Sequence, residues 1–182
     1  MELTAMGETG HDRGTMRMLS LILWGLVLVT PALPAETPGA LPGFLGIPWE
    51  ASRADAVKLL QTQKDLKFAR TEPAGLVYFG TYQGHPAEVE LVFTGDRFCL
   101  GLVALQAQAP AVNDLFRTVA AEVGAQVGTG PSATSSPPDP PSSRWVFADG
   151  NYILLVVNRQ PLQLLLVYAD QALAAQAAGG RP

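Results

Sequence analysis

Two blocks of strand-like sequence, separated by a proline-rich segment, dominate this chain of 182 residues. In the first block, residues 88–93 (EVELVF) and 98–106 (FCLGLVALQ) flank a polar turn, TGDR. Apolar and charged residues alternate along 88–93, which predicts one buried face and one face in water. In the second block, residues 152–157 (YILLVV) and 162–168 (LQLLLVY) are almost entirely apolar, as is typical of central strands covered on both faces. These runs predict a sheet as the main element of the fold.

Helical patterns precede each block and also end the chain. A helix is predicted over 53–63, because Ser52 and Asp55 form a capping box at its start. A second helix is predicted over 110–123, where apolar residues recur at helical spacing before Gly124. A short alanine-rich helix is predicted over 170–177.

Further strand patterns complete the order of elements, which reads helix, three or four strands, helix, three strands, helix. Because neither half buries much apolar surface alone, we expect a single continuous sheet. The predicted class is α+β, with two helix-then-antiparallel-meander repeats that form one sheet and with helices packed on one face. These further strands are 67–71, which is weak, 76–82, which is stronger, and 144–148.

The N-terminal segment has the features of a secretory signal peptide. Arg13 and Arg17 precede an uncharged apolar run over 19–29, and Ala32 and Ala35 are alternative cleavage positions. The run is shorter than the roughly 20 residues that a membrane-spanning helix needs. An N-terminal membrane anchor and a buried helix remain alternatives.

Residues 1–35 are therefore predicted to be a signal peptide. Residues 1–15, with three carboxylates ahead of the apolar run, are interpreted as a gene-call extension before a true start at Met16. The mature protein is expected to be periplasmic or secreted, with membrane contact only through an uncleaved signal segment.

The mature chain is predicted to be one domain. Residues 36–43 read as a flexible lead-in, and residues 44–178 as a single α+β domain. Within the domain, residues 128–142 carry five prolines and many Ser and Thr residues, which predicts an extended or disordered linker.

The segment Gly46-Ile47-Pro48-Trp49 is interpreted as a structural anchor. Ile47 and Trp49 directly precede the cap residues Ser52 and Asp55, where apolar groups pack back over the first helical turn. Pro48 stiffens this approach by fixing φ. Trp145 is assigned to the core because large aromatic side chains lie more often in the core than at the surface.

Charge and residue counts argue against several classes of function. A net charge of −4 with scattered basic residues disfavours nucleic-acid binding. Cys99 is the only cysteine, so a disulfide within the chain is excluded, and its place in a strand predicts a buried thiol. With one histidine after the signal segment, His85, a metal site is not expected, and no cofactor is assigned.

No catalytic constellation is apparent in the sequence. His85 lies in a turn without an evident nucleophile, and alternation explains Glu88 and Glu90 as the wet face of a strand. The glycine-rich residues 124–131 lack the lysine of a phosphate-binding loop. The protein is therefore not expected to be an enzyme.

Three stretches resemble a loosely defined group of small exported bacterial proteins with a G-I-x-W motif. They are GIPWEASRADAVKLL (46–60), EVELVFTGDRFCLGLV (88–103), and Trp145 followed by the two apolar strands of the second block. The plan is also similar to that of the SmpA-type outer-membrane assembly lipoproteins and of the two-repeat β-lactamase inhibitor protein. The resemblance implies an exported α+β protein and offers no catalytic residue.

Tyr78 and Tyr82 are the candidate residues for partner contact, because they share the strand face opposite Val77 and Phe79. If that face is open, it suits an interface. The preferred hypothesis is an exported, non-enzymatic protein-binding module of the bacterial envelope whose partner is an envelope or secreted protein. One alternative is a carrier of a small apolar ligand, held between helices and sheet. Another is a hydrolase that uses His85 or the Glu88/Glu90 pair.

Overall fold

The computed structural model describes residues 38–108, 110–135 and 139–179. These residues form three helices: α1 (Arg53–Leu60), α2 (Val112–Val127) and α3 (Gln171–Gly179). They also form ten strands: β1 (Gly43–Phe44), β2 (Ile47–Pro48), β3 (Leu66–Glu72), β4 (Gly75–Tyr82), β5 (His85–Thr94), β6 (Arg97–Gln106), β7 (Ala133–Ser135), β8 (Ser142–Val146), β9 (Tyr152–Arg159) and β10 (Leu162–Ala169).

Eight of the strands form one antiparallel sheet in the order β3-β4-β5-β6-β10-β9-β8-β7, and β1 and β2 form a separate hairpin. The predicted α+β class and the antiparallel sheet are thus confirmed. The central pair is β6 with β10, in register from Leu100 opposite Ala169 to Gln106 opposite Gln163. Both strands are rich in apolar residues because they have a neighbouring strand on each side and packing on both faces.

The main core lies between the sheet and helices α1 and α2, on a side of the sheet that we call the helix face. Ala56 and Leu60 of α1 and Val119 and Val123 of α2 pack there against alternate residues of the strands. These sheet residues include Val89, Leu91, Val103, Leu105, Ile153, Leu155, Leu164 and Leu166.

Helix α3 lies on the opposite side of the sheet, which we call the α3 face. It contacts β5 and β6, and its buried Leu173 and Ala174 stand outside the main core cluster. Arg97 Nη2 donates a hydrogen bond of 3.1 Å to Gln176 Oε1. Arg97 pairs with Thr94, the neighbour of core residue Phe93, so its side chain leaves the sheet on the side away from the core. The expected packing of every helix against one face is therefore not confirmed.

Two predicted boundaries need correction. Helix α2 continues through Gly124 to Val127, and Gly128, with φ of 76°, ends it in the left-handed conformation that glycine adopts at little cost. Helix α1 ends at Leu60, before the predicted 63.

The predicted linker also contains structure. Strand β7 pairs with β8 from Ala133 opposite Arg144 to Ser135 opposite Ser142. The Ser135 hydroxyl lies 2.9 Å from the carbonyl oxygen of Pro140 and 2.8 Å from Ser142 Oγ. The serines that suggested disorder therefore supply hydrogen bonds that hold the segment against the sheet.

The predicted signal peptide, the alternative start at Met16, and the cleavage positions Ala32 and Ala35 lie outside the described residues, as does the start of the lead-in. Of the helices within the described ranges, none combines the length and apolarity needed to cross a membrane.

Candidate functional site

The segment 46–49 precedes α1 and packs against the sheet. Ile47 is fully buried, and the Trp49 ring stacks on Phe98 with centroids 5.1 Å apart. Trp49 Nε1 donates to the carbonyl oxygen of Leu41 at 2.6 Å. Pro48 is exposed at the end of β2. The role of this segment as a structural anchor stays a prediction.

The start of α1 is capped twice. Ser52 Oγ accepts a hydrogen bond of 3.1 Å from the backbone N–H of Asp55, and Asp96 Oδ1 accepts one of 3.1 Å from the backbone N–H of Arg53. Together they satisfy two of the N–H groups that a helix start leaves free.

Trp145 is fully buried, and its Nε1 donates to the carbonyl oxygen of Thr129 at 3.3 Å.

A cleft of about 400 Å³ lies beside the β1–β2 hairpin. We call it the hairpin cleft; it is lined by residues 41–48, Tyr82, Gln126 and Tyr168. The hairpin supplies one wall, β4 and β10 supply the two tyrosines, and α2 supplies Gln126. The cleft therefore forms where four separate elements of the fold meet.

Tyr82 and Tyr168 meet in this cleft. Their hydroxyl oxygens are 2.8 Å apart, and the Phe44 ring packs 4.7 Å from the Tyr168 ring and 6.1 Å from the Tyr82 ring. Burial is the main reason that the pKa of each phenol is raised above its ordinary value. Both phenols are therefore neutral at physiological pH and retain their hydroxyl hydrogens.

An acidic group stands near the tyrosine pair. His85 Nε2 lies 3.9 Å from Glu122 Oε2, and that oxygen is buried with no hydrogen-bond partner among the described residues. The negative charge of Glu122 adds a smaller upward contribution to the pKa of Tyr82.

Tyr78 and Tyr82 do not lie on an open face, contrary to the expectation from the sequence. Tyr78 is 4% exposed and Tyr82 is 7% exposed, because both side chains belong to the core on the helix face. The two do not act alike: Tyr82 lines the hairpin cleft, whereas Tyr78 meets the Phe68 ring edge-on at 5.6 Å.

The exposed aromatic surface lies instead at strand β3, the end strand of the sheet. Phe68 is 57% exposed and Phe79 is 47% exposed. Phe68 stands opposite Tyr78, and Phe79 stands opposite Lys67, so the two rings project from opposite faces of the sheet. We call β3 together with Phe79 the β3 edge. Sequence patterning did not single out Phe68, because nothing local marks a weak strand as the outermost one.

Arg70 organises the polar groups beside this edge on the α3 face. Its Nε lies 2.7 Å from Glu72 Oε1, and its Nη2 lies 2.9 Å from Glu88 Oε1. The guanidinium also stands over the Phe79 ring, 5.7 Å from the centroid. Arg70 therefore holds Glu88 as an ion pair and orients the exposed ring.

Glu90 is less exposed to solvent than the alternating sequence pattern predicts. It lies between Val77 of β4 and Leu102 of β6, and burial there raises its pKa from 4.5 to about 7. The charges of Glu88 and Glu72 raise it further, while Arg70 opposes them. Glu88 and Glu90 thus share a face but differ in environment.

The structure places His85 and the Glu88/Glu90 pair, the two alternative sets of hydrolase residues, on opposite faces of the sheet. His85 meets Glu122 of α2, which packs on the helix face, whereas Glu88 and Glu90 alternate with core residues Val89 and Leu91 and so lie on the α3 face. Cys99 is buried, and its thiol contacts the carbonyl oxygen of Val92 and the hydroxyl of Thr94. Burial raises the pKa of this thiol. In the part of the chain that the structure describes, no three His, Cys, Asp or Glu residues are grouped to hold a metal ion.

Comparison of the chain with protein-family models, with curated proteins and with solved structures yields no significant match.

Proposed function

We propose that this chain is an exported, non-enzymatic protein-binding module that contacts an envelope or secreted protein through the β3 edge. The observation that carries the proposal is the exposure of Phe68 and Phe79 at the end strand of the sheet. Export rests on the signal-peptide pattern of residues 1–35 and on the resemblance to small exported bacterial proteins.

The backbone of β3 supports this proposal. Within the described ranges no strand pairs with the outer side of β3, so its outward N–H and C=O groups are available to a strand from another protein. The side chains of an added strand would alternate between the two faces, next to Phe68 on one side and next to Lys67 and Phe79 on the other.

The side chains at this edge also suit an interface. Aromatic residues and arginine are enriched in the cores of protein interfaces, where they contribute most of the binding energy. Phe68, Phe79 and Arg70 are residues of these types, and the ion pairs of Arg70 with Glu72 and Glu88 hold its position before a partner arrives. A preorganised side chain loses less entropy on binding.

We further propose that the fold consists of two helix-then-meander repeats. Strands β3 to β6 are consecutive neighbours on one side of the sheet, and β7 to β10 are consecutive neighbours on the other. Each meander follows a helix and contributes its last strand to the central pair, β6 with β10. The β3 edge and β7 would then be equivalent outer strands, of which only β3 is long enough to accept a partner strand.

Photo-cross-linking from the edge tests the proposed function. Replacing Phe68 or Phe79 by p-benzoylphenylalanine keeps an aromatic ring in place, and the full-length chain is irradiated in its native cells. We expect both positions to give an adduct with the same protein. A probe at Thr118, exposed on α2, is the control and is expected to give no such adduct, because α2 packs against β9 and β10.

Serine variants then measure the contribution of the rings. The double variant Phe68→Ser, Phe79→Ser is expected to weaken binding of the captured protein by roughly tenfold or more. Leu59→Ser removes an exposed apolar side chain from α1 and is expected to leave binding unchanged. An adduct from Thr118 alone, or equal binding by the double variant, would contradict the proposal.

A further inference from the structure

We propose that the hairpin cleft binds a neutral, apolar small molecule whose carbonyl oxygen accepts a hydrogen bond from the Tyr82–Tyr168 pair. This site is separate from the β3 edge and does not depend on the function proposed above.

The size and walls of the cleft fit such a ligand. Its volume of about 400 Å³ falls in the range of ligand-binding pockets, roughly 300 to 1,000 Å³. Leu41, Phe44 and Leu45 are the large apolar residues with accessible surface among those that line it, and Gln126 lies at the end of α2. A mostly apolar pocket with a few convergent polar groups is the usual form of a small-molecule site.

One of the two hydroxyl hydrogens of the tyrosine pair has no acceptor among the described residues. Two neutral hydroxyls carry two hydrogens, and the 2.8 Å contact between them uses one. No other group of the described residues bonds to either hydroxyl. A ligand that fills the cleft without an acceptor would leave this donor buried and unpaired, whereas a ligand with an acceptor oxygen would pair it.

The charge of the site favours a neutral acceptor over a carboxylate. Every residue that lines the hairpin cleft is uncharged, and the nearby Glu122 is acidic. An anionic ligand would therefore lose its hydration without gaining a cation. A ketone, ester or amide oxygen accepts the same hydrogen bond without that loss.

The hairpin wall is held in place before any ligand binds. Leu41 N–H donates to Asp149 Oδ2 at 3.0 Å, and Trp49 Nε1 anchors the carbonyl of Leu41. The turn places Leu45 at φ of 52°, a left-handed conformation that is unfavourable for a leucine. The fold thus keeps Leu45 against the cleft despite this cost.

Three related fluorescent probes test the inference with the full-length protein. They are 2-acetyl-6-dimethylaminonaphthalene, the same compound without its acetyl group, and the corresponding 2-carboxylate. We expect the acetyl probe to bind about 2- to 12-fold more tightly than the parent, which is the value of one hydrogen bond. We expect the carboxylate to bind most weakly. Tightest binding by the carboxylate, equal binding by the acetyl and parent probes, or binding by neither would overturn the proposal.

Matched variants locate the site. The double variant Tyr82→Phe, Tyr168→Phe removes both partners of the buried bond, a change that is nearly neutral for folding. It is expected to abolish the preference for the acetyl probe, whereas Tyr152→Phe, at another buried tyrosine outside the cleft, preserves it. Gln126→Trp, at an exposed position on the cleft rim, is expected to weaken binding of both neutral probes. A preference that survives in the double variant, or binding unaffected by Gln126→Trp, would place the probes elsewhere and refute the site.

Discussion

Replacing Gly80 with alanine is expected to lower the free energy of unfolding by about 3 to 4 kcal/mol. Gly80 lies in β4 opposite Leu66, and the chain that enters β3 crosses directly over it. A Cβ atom at Gly80 would lie 1.8 Å from the carbonyl oxygen of Asp65, a backbone atom. The same oxygen accepts a hydrogen bond of 3.0 Å from the N–H of Thr81, so the substitution also breaks that bond.

Urea unfolding followed by tryptophan fluorescence measures this loss. Gly130→Ala is the matched control, because a Cβ atom at Gly130 meets no atom within 4 Å. We expect the control to change the free energy of unfolding by less than about 0.5 kcal/mol. Equal stability of Gly80→Ala and the wild type would contradict the close crossing. Because Asp65 leads into β3, the Gly80 variant is also expected to lose partner binding at the β3 edge.

Glu90 is expected to make the stability of the protein fall as pH rises through neutrality. Its carboxyl has a pKa of 4.5 when solvated and about 7 in the folded protein. Below 4.5 it is protonated in both states, and above 7 it is ionised in both, but only the folded state then buries the charge. A raised carboxyl pKa therefore stabilises the folded state at low pH, and that contribution is lost as pH rises to about 7.

The expected size of this effect is about 2 to 3 kcal/mol between pH 5 and pH 8, allowing for partial exposure of the carboxyl. The groups around Glu90 that set it are Val77 and Leu102 beside it, the carboxylates Glu88 and Glu72, and the opposing Arg70. The exposed Asp55 has a lowered pKa and so shifts stability in the opposite direction, but at more acidic pH.

Unfolding free energies of Glu90→Gln at the two pH values test this account. Glutamine stays neutral, so the variant is expected to lack most of the fall and to exceed the wild type in stability at pH 8. Glu50→Gln removes an exposed carboxylate and is expected to keep the wild-type pH dependence. The same fall with pH in Glu90→Gln and the wild type would contradict the burial of this carboxyl.

Local patterns in the sequence were sufficient to predict the antiparallel sheet and hairpins such as those that join β5 to β6 and β9 to β10. Residues 88–93 and 98–106 alternate or run apolar around a polar turn, and they became β5 and β6. Strand β7 was missed because its pairing depends on serine hydroxyls within a proline-rich stretch whose composition indicated a linker. The central pairing of β6 with β10 joins segments that are distant in sequence. No tight turn connects them, so no local sequence pattern predicts the pairing.

The candidate sites depend on contacts that local sequence does not encode. Tyr82 and Tyr168 are 86 positions apart in the chain, and they meet because both side chains project into the core on the helix face, where Phe44 packs against both rings. The exposure of Phe68 depends on β3 being the outermost strand, which is a property of the whole sheet. Alternation correctly predicted that Glu90 lies on the other face of the sheet from Val89 and Leu91. The burial of its carboxyl depends on side chains of the neighbouring strands, which alternation does not reveal.

Hydrogen exchange of the β3 amides shows whether a partner strand pairs with the β3 edge. It is measured in the free full-length protein and in its complex with the protein captured from Phe68. If the partner adds a strand to the β3 edge, amides of Leu66–Glu72 are expected to exchange more slowly in the complex, while those of α2 stay unchanged. Unchanged exchange in β3, with protection elsewhere on the protein, would contradict the account.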